Sequence, residues 1–394
     1  MALMRKTFSA WVDGVRKMNK AELAILVLGT LAGLCLRYFL RGFRSLDFIA
    51  NTDFWYTRIR DQGFAAMRSG FIQYTPTYPY LLYLVSVVFP GIDNVAAVKI
   101  PSVLADFICA WFIYRIVRMK YETGLLPVLA FCAILFAPTI VMNSSLWGQC
   151  DSLYTTALVA CLYFLILGRE KSAFIAFGVA LAFKLQAIFL APLLVILILK
   201  KELSWKGLIL VPLVYLVAIL PAWLAGRSLL DLLTLFATQA DWSSSLSFNA
   251  PNLYAWLPAG SFSQFYLPGL VLSAILCLAF IFIVYRSRMS MTPPMLILLA
   301  LTSVLVLPFL LPKMHERYFY PADVLSILFA FYYPGLFFIP LIVVSTSLLS
   351  YLPFLFNLEI IPFPILAIFM LVSILIVARR LFSSLNLRKN APPA

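Results

Sequence analysis

The sequence reads as an all-α, polytopic bundle of transmembrane helices. Of its 394 residues 63% are hydrophobic and only 12% charged, where a soluble domain carries roughly 25% charged residues. About a dozen apolar stretches approach the ~20 residues that a helix needs to cross a bilayer. They are apolar all round, whereas membrane strands would alternate, so helices are the way their backbone satisfies itself. A water-soluble enzyme is excluded.

The chain opens on a basic, amphipathic stretch, Met1 to Lys20, without a small-residue cleavage site after its apolar run. Residues 1–21 are expected to lie on the cytoplasmic surface. Spans follow near 22–40, 99–117, 125–142, 152–168, 173–185, 187–199, 208–225, 267–285, 294–312, 321–336, 337–351 and 361–378, which makes about twelve. Together they form one transmembrane unit over residues 22–378, with a cytoplasmic tail from 379 to 394.

This parity gathers most of the 30 Lys and Arg residues on one side: the N-terminus, Arg115 to Lys120, Arg169 and Lys171, Lys200 to Lys206, Arg286, Arg288, and Arg379 onward. That is the positive-inside pattern. The formal charge of +14 is therefore a matter of topology, and nucleic acid is not expected as a partner. The apolar run Tyr80 to Phe89 is too short to span and would invert every later loop. It is kept outside, so 41–98 becomes a long external loop carrying amphipathic helices, Asp53 to Arg68 among them. A second external loop covers 226–266.

The unusual polar residues then share the external side. Asp47 lies just past the first span, where it can serve as a general base for an acceptor hydroxyl; the alternative is a solvated aspartate paired with Arg41 or Arg44. Asp53 has the position of a helix cap. Lys184, in Phe183-Lys184-Leu185-Gln186, is flanked by unbroken apolar sequence, so its ammonium needs an anion: Asp106, Asp151 or a lipid-linked phosphate. Asp151, after Trp147-Gly148-Gln149-Cys150, suits either a helix cap or a polar cavity.

His315, the only histidine, is bracketed by Lys313, Glu316 and Arg317. Three potential cations so close together suit a phosphate, since Arg can fork across two oxygens while His and Lys donate single bonds. A lone His without matched carboxylates offers too few ligands for a metal. The loop after Gly226 carries Asp241, Trp242, Ser243 to Ser245, Asn249, Asn252, Tyr254 and Trp256. Aromatic faces with amides and hydroxyls suit a sugar, but interfacial Trp and Tyr are also general membrane-protein features. No Cys-x-x-Cys pair and no nucleotide-binding glycine loop occurs.

In order, Asp47, Tyr74-Thr75-Pro76-Thr77-Tyr78, Trp147-Gly148-Gln149 with Asp151, Lys184 with Gln186, Asn249-Ala250-Pro251-Asn252-Leu253 and His315-Glu316-Arg317-Tyr318 resemble the GT-C superfamily of polyprenyl-phosphate-sugar-dependent glycosyltransferases. The likeness is to bacterial mannosyl- and glucosyltransferase-like members and, more distantly, to dolichyl-phosphate-glucose glucosyltransferases. It extends over about residues 20 to 325.

The resemblance implies a GT-C-like domain over 22–378 and inverting transfer of a hexose or pentose from a polyprenyl-phosphate donor to an acceptor hydroxyl. The acceptor would be a glycolipid or polysaccharide. It implies Asp47 as the base, His315 near the donor phosphate, and Lys184 and Gln186 lining the same cavity. Arg317 joins them by the charge argument, with Asp151, Glu316, Asn249, Asn252 and Asp106 as further pocket residues. No cofactor is expected, although some branches of the family bind a divalent metal; Asp47 lacks an Asp-x-Asp companion. The expected location is a bacterial inner membrane, with the site on the external face. The alternative is a transporter or flippase of lipid-linked sugars, against which the one-sided distribution of polar residues speaks.

Overall fold

The structure is a computed structural model and describes residues 18–72, 74–240, 244–258 and 260–386. The amphipathic start up to residue 17, Asp241 to Ser243, and the end of the tail from residue 387 lie outside the described residues.

Helix α1, Lys20–Leu40, starts at Asn19, whose side chain accepts from the backbone N–H of Glu22 at 2.8 Å. Two short helices follow, α2 (Asp53–Gln62) and α3 (Thr77–Val88), and then the long α4 (Asn94–Lys120). Next come α5 (Leu126–Phe136) and α6 (Pro138–Trp147), bent by 47° against each other. The bend has a local cause: Pro138 forces Ala137 out of the helical region, to ψ 126°. Then follow α7 (Asp151–Ile166), α8 (Glu170–Phe183), α9 (Leu185–Leu199), α10 (Trp205–Leu224) and α11 (Leu229–Ala240). The last five are α12 (Phe262–Arg286), α13 (Pro293–Leu310), α14 (Tyr320–Tyr332), α15 (Phe338–Phe356) and α16 (Phe363–Asn386).

Two segments, Phe48–Thr52 and Met142–Trp147, are wide π-helical turns. Among the described residues the β-structure is one two-residue parallel ribbon, β1 (Ser247–Phe248) against β2 (Met314–His315).

Helices α7, α8, α13 and α14 are buried over most of their surface and form the core with α4, as helices apolar all round should. In contrast, α10 and α12 expose rows of leucine, isoleucine and valine, as lipid-facing helices do.

Seven described helices are long and apolar enough to cross a membrane, or eight if α5 and α6 count as one bent span; the chain is an integral membrane protein. These helices do not confirm the expected count of about twelve, and four shorter apolar helices stand beside them. Helix α7 has 16 residues and so rises about 24 Å, short of the ~30 Å hydrocarbon core. Being sheathed by neighbouring helices, it need not span lipid by itself. Span boundaries also move: α4 begins at Asn94 and α12 at Phe262, which shortens both long loops. Helix α16 runs on through Arg379 and Arg380 to Asn386, so the described part of the expected tail is helical.

The ends of the helices sort into two sets. At one end Glu22 meets Arg118 and the N–H of Gly124, Lys120 donates to the carbonyls of Phe331 and Tyr332, and Lys200 donates to that of Ser287. At the other, Lys99 donates to the carbonyls of Leu40, Arg41 and Phe43, closing the unsatisfied end of α1. Asp106, weighed as a partner of Lys184, is elsewhere engaged. Its carboxylate takes Arg37 at 2.7 Å and Ser144 at 2.6 Å with no accessible surface, locking α1 to α4 and α6. It is a structural ion pair.

Removing one partner strands the other charge in the bundle, at a cost of roughly 3–5 kcal/mol. Arg37→Met is therefore expected to lower the melting temperature sharply in detergent. The double variant Arg37→Met/Asp106→Leu should recover part of the loss; equal or greater destabilisation of the double variant would contradict this reading.

Candidate active site

The segment Tyr74 to Tyr78 is pinned to the end of α8. Thr75 and Thr77 both donate their hydroxyls to the carbonyl of Ala182, at 2.5 and 2.7 Å. This fixes the point where α8 stops and Lys184 turns inward in extended conformation. The side chain of Lys184 is 5% exposed, and its Nζ donates to Asp151 Oδ1 at 2.5 Å. The rings of Tyr74, Tyr154 and Tyr318 surround it at 5.5 to 5.7 Å, a cation–π cage for a charge removed from water. Of the two candidate aspartates, then, Asp151 is the one that Lys184 holds.

Asp151 is fully buried and its second oxygen accepts from Asn143 Nδ2 at 3.0 Å. It does not cap α7: Cys150 stands at the N-cap position, with no side-chain cap hydrogen bond. Arg317 approaches the same oxygen, with Nε 3.8 Å away, and donates Nη1 to Glu316 at 3.2 Å. Its guanidinium lies over Trp147. Arg317 Nε is buried without a hydrogen-bond partner among the described residues.

Asp47 joins this cluster through the Trp147-Gly148-Gln149 turn. Its Oδ2 accepts from Trp147 Nε1 at 2.8 Å and from Gln149 Nε2 at 2.6 Å. It forms no ion pair with Arg41 or Arg44, the alternative that its sequence neighbours suggest. The turn itself is held from three sides: Ser45 donates to the carbonyl of Trp147, Ser102 to that of Gln149, and Gly148 adopts φ 79°, a left-handed conformation that favours glycine. Asp53, expected as a cap, is the first helical residue behind Thr52 and accepts from Asn94 at 2.7 Å, tying α2 to α4.

His315 pairs through its backbone with Phe248, and its ring stacks on the Phe248 ring at a centroid distance of 4.5 Å. Burial, with Arg317 and Lys184 close by, pushes its pKa down to about 2. It is thus a neutral imidazole at physiological pH, which removes it from the expected trio of cations. Burial raises Glu316 instead, to about 7, against the lowering effect of Arg317.

Among the expected pocket residues, Gln186 is half-buried, with Oε1 lacking a partner among the described residues. Asn252 is structural: its side chain accepts from the N–H of Tyr254 and caps a short helical turn. Asn249 lines a different cavity, on the far side of the β1–β2 ribbon. Sequence reasoning missed Trp147 and Gln149 as the anchors of Asp47, and Tyr74, Tyr154 and Tyr318 as the cage of Lys184. The Trp-Gly-Gln and Tyr-Thr-Pro-Thr-Tyr motifs were the available signal, but only long-range contacts say what they hold. Among the described residues no group of three or more His, Cys, Asp or Glu side chains is placed to hold a metal.

A glutamate whose folded pKa lies above its ordinary value stabilises the fold at low pH and loses that contribution as pH rises through the folded value. The Glu316 contribution should therefore fade between pH 4.5 and about 7. Melting curves of the wild type and of Glu316→Gln over that window should diverge, with the wild type falling more steeply; parallel profiles would contradict the assignment.

A family model described as dolichyl-phosphate-mannose-protein mannosyltransferase matches residues 73–225, the stretch that carries Tyr74, Trp147, Asp151 and Lys184. No curated protein matches the sequence significantly. Among solved structures, the fold is similar to ArnT from Cupriavidus metallidurans bound to undecaprenyl phosphate, with a TM-score of 0.56, 16% identity and coverage of 91% of this chain and 72% of that one. The same protein in the apo state gives a TM-score of 0.57 at 15% identity, covering 93% and 78%. The likeness to the GT-C superfamily that the ordered motifs implied is borne out at the level of architecture: the chain has a GT-C-type, ArnT-like fold.

Proposed function

We propose that the protein is a membrane glycosyltransferase that moves a sugar from a polyprenyl-phosphate donor to an acceptor hydroxyl, with inversion at the anomeric carbon. The observation that carries this reading is the convergence of Asp47, Lys184 and Arg317 on one buried site at one end of the bundle. The fold supports it, because the similar ArnT structure holds undecaprenyl phosphate.

In this mechanism the acceptor oxygen attacks the anomeric carbon and its proton passes to Asp47. The bond between that carbon and the phosphate oxygen breaks, and its electron pair stays on the phosphate. Trp147 and Gln149 hold the Asp47 carboxylate from one side, leaving Oδ1 to take the proton. Negative charge that grows on the leaving oxygen meets Lys184 and Arg317, fixed beforehand by Asp151, Glu316 and the aromatic cage. Arg317 brings a buried N–H with no hydrogen-bond acceptor among the described residues, the kind of donor a bound phosphate satisfies.

His315 being neutral, its part is a single hydrogen bond to the phosphate or the sugar, not a charge. No cofactor is invoked. By the positive-inside pattern the site faces the external side of the bacterial inner membrane, and the acceptor is a glycolipid or polysaccharide hydroxyl. The transferred unit is a hexose or a pentose.

Purified protein given short-chain polyprenyl-phosphate mannose, glucose, galactose or arabinose, together with a membrane extract as acceptor source, is expected to consume one donor. Asp47→Asn should cut turnover by about 10²- to 10⁴-fold, the usual weight of a general base, while donor binding survives. Turnover equal to wild type in that variant would remove the base assignment. His315→Ala should slow transfer or weaken donor binding, and wild-type kinetics would take it out of the phosphate site.

A further inference from the structure

The β1–β2 ribbon separates two unlike environments. Along a strand successive side chains point to opposite faces, and here Phe248 stacks on His315 on the side of Arg317 and Lys184. Ser247 and Asn249 face the other way and line a cavity of about 450 Å³. Asn249 is bound to this arrangement by its bridge to His315 and by φ 56°.

The cavity differs from the charged cluster in its chemistry. Among its lining residues are Ser244, Ser247, Asn249 and Ser261, with the aromatic rings of Phe262 and Phe363, and among the described residues no acidic or basic side chain belongs to the lining. Hydroxyls and an amide around apolar walls, with aromatic faces at one side, fit a pyranose ring, which offers hydroxyls at its rim and C–H groups on its faces. Among the described lining residues a phosphate would find neither an ammonium nor a guanidinium. The ammonium of Lys313, which is not among the lining residues, lies over the rings of Phe262 and Tyr266 at 5.1 and 4.8 Å.

We propose that the cavity on the Ser247 and Asn249 face of the ribbon is a subsite for a neutral sugar ring of the acceptor, separate from the cationic cluster on the Phe248 and His315 face. This rests on the transferase reading and names the acceptor class: a glycan whose docked ring is uncharged. Binding there holds the acceptor at a distance from the reacting atoms, and energy gained at such a remote ring can be used to position the hydroxyl that reacts.

The test uses the full chain in nanodiscs, with empty nanodiscs as control, and saturation-transfer NMR. The probes are the methyl glycosides of mannose, glucose, galactose and N-acetylglucosamine, the methyl glycoside of glucuronic acid as a charged counterpart, and geranyl phosphate. At least one neutral glycoside should receive saturation and the glucuronide none. Ser244→Trp, at an exposed position on the cavity wall, and Ala255→Phe should each lose the glycoside signal and keep that of geranyl phosphate. The retained signal shows that the variants are folded. No signal from any neutral glycoside on the wild type, or a signal unchanged in both variants, would overturn the proposal. Where geranyl phosphate never binds, the melting temperature is the folding control: glycoside binding that disappears in variants that melt like the wild type would uphold the subsite and remove the donor assignment instead.

Discussion

Asp151 has no accessible surface, yet it sits in a bundle where an unpaired carboxylate would be intolerable. Everything at this end of the molecule is arranged around its neutralisation. Lys184 reaches it from the break between α8 and α9, and Arg317 from the connection ahead of α14. Because both cations answer to one anion, three stretches distant in sequence are brought to one point. The cations are thereby held rigid, and a fixed charge stabilises a transition state without first having to reorganise.

The same logic separates the structural charges from the ones available for chemistry. Arg37 and Asp106 complete each other, with Ser144 and Tyr320 taking up the remaining hydrogen bonds. That pair is a fastener. At the Asp151 cluster the hydrogen bonding does not close internally: Arg317 Nε and Gln186 Oε1 are left over. A folded chain leaves buried polar atoms unmatched only rarely, and these two lie beside Asp151 and at the break between α8 and α9.

How far the sequence could be read depended on the range of the interaction concerned. Helix formation and the segregation of basic residues follow from local composition, so the all-α bundle and the grouping of Lys120, Lys200 and Arg380 at one end were legible. Span number was not, since whether a 16-residue stretch such as α7 must cross lipid depends on what sheathes it. The members of the site were legible as anomalies, because a Lys or Asp flanked by apolar sequence demands a partner. Which partner was not: Asp106 and Asp151 were equally plausible for Lys184 until tertiary contacts gave Arg37 to one of them. The state of His315 was hidden for the same reason, being set by burial and by two cations that lie far off or next to it in sequence but together in space.

The wide turns at Phe48–Thr52 and Met142–Trp147 lie next to the two side chains that meet at 2.8 Å, Asp47 and Trp147. Such a turn holds one more residue than the regular helix, which shifts the angular phase of the next helical stretch by about a quarter of a circle or slightly more. An aligner or designer that counts only the ordinary helical period will send the indole and the carboxylate to diverging azimuths. Excising a single amino acid from either turn would thus unmake their meeting without touching either partner, so distant kin have to be compared here by spatial superposition instead of by register.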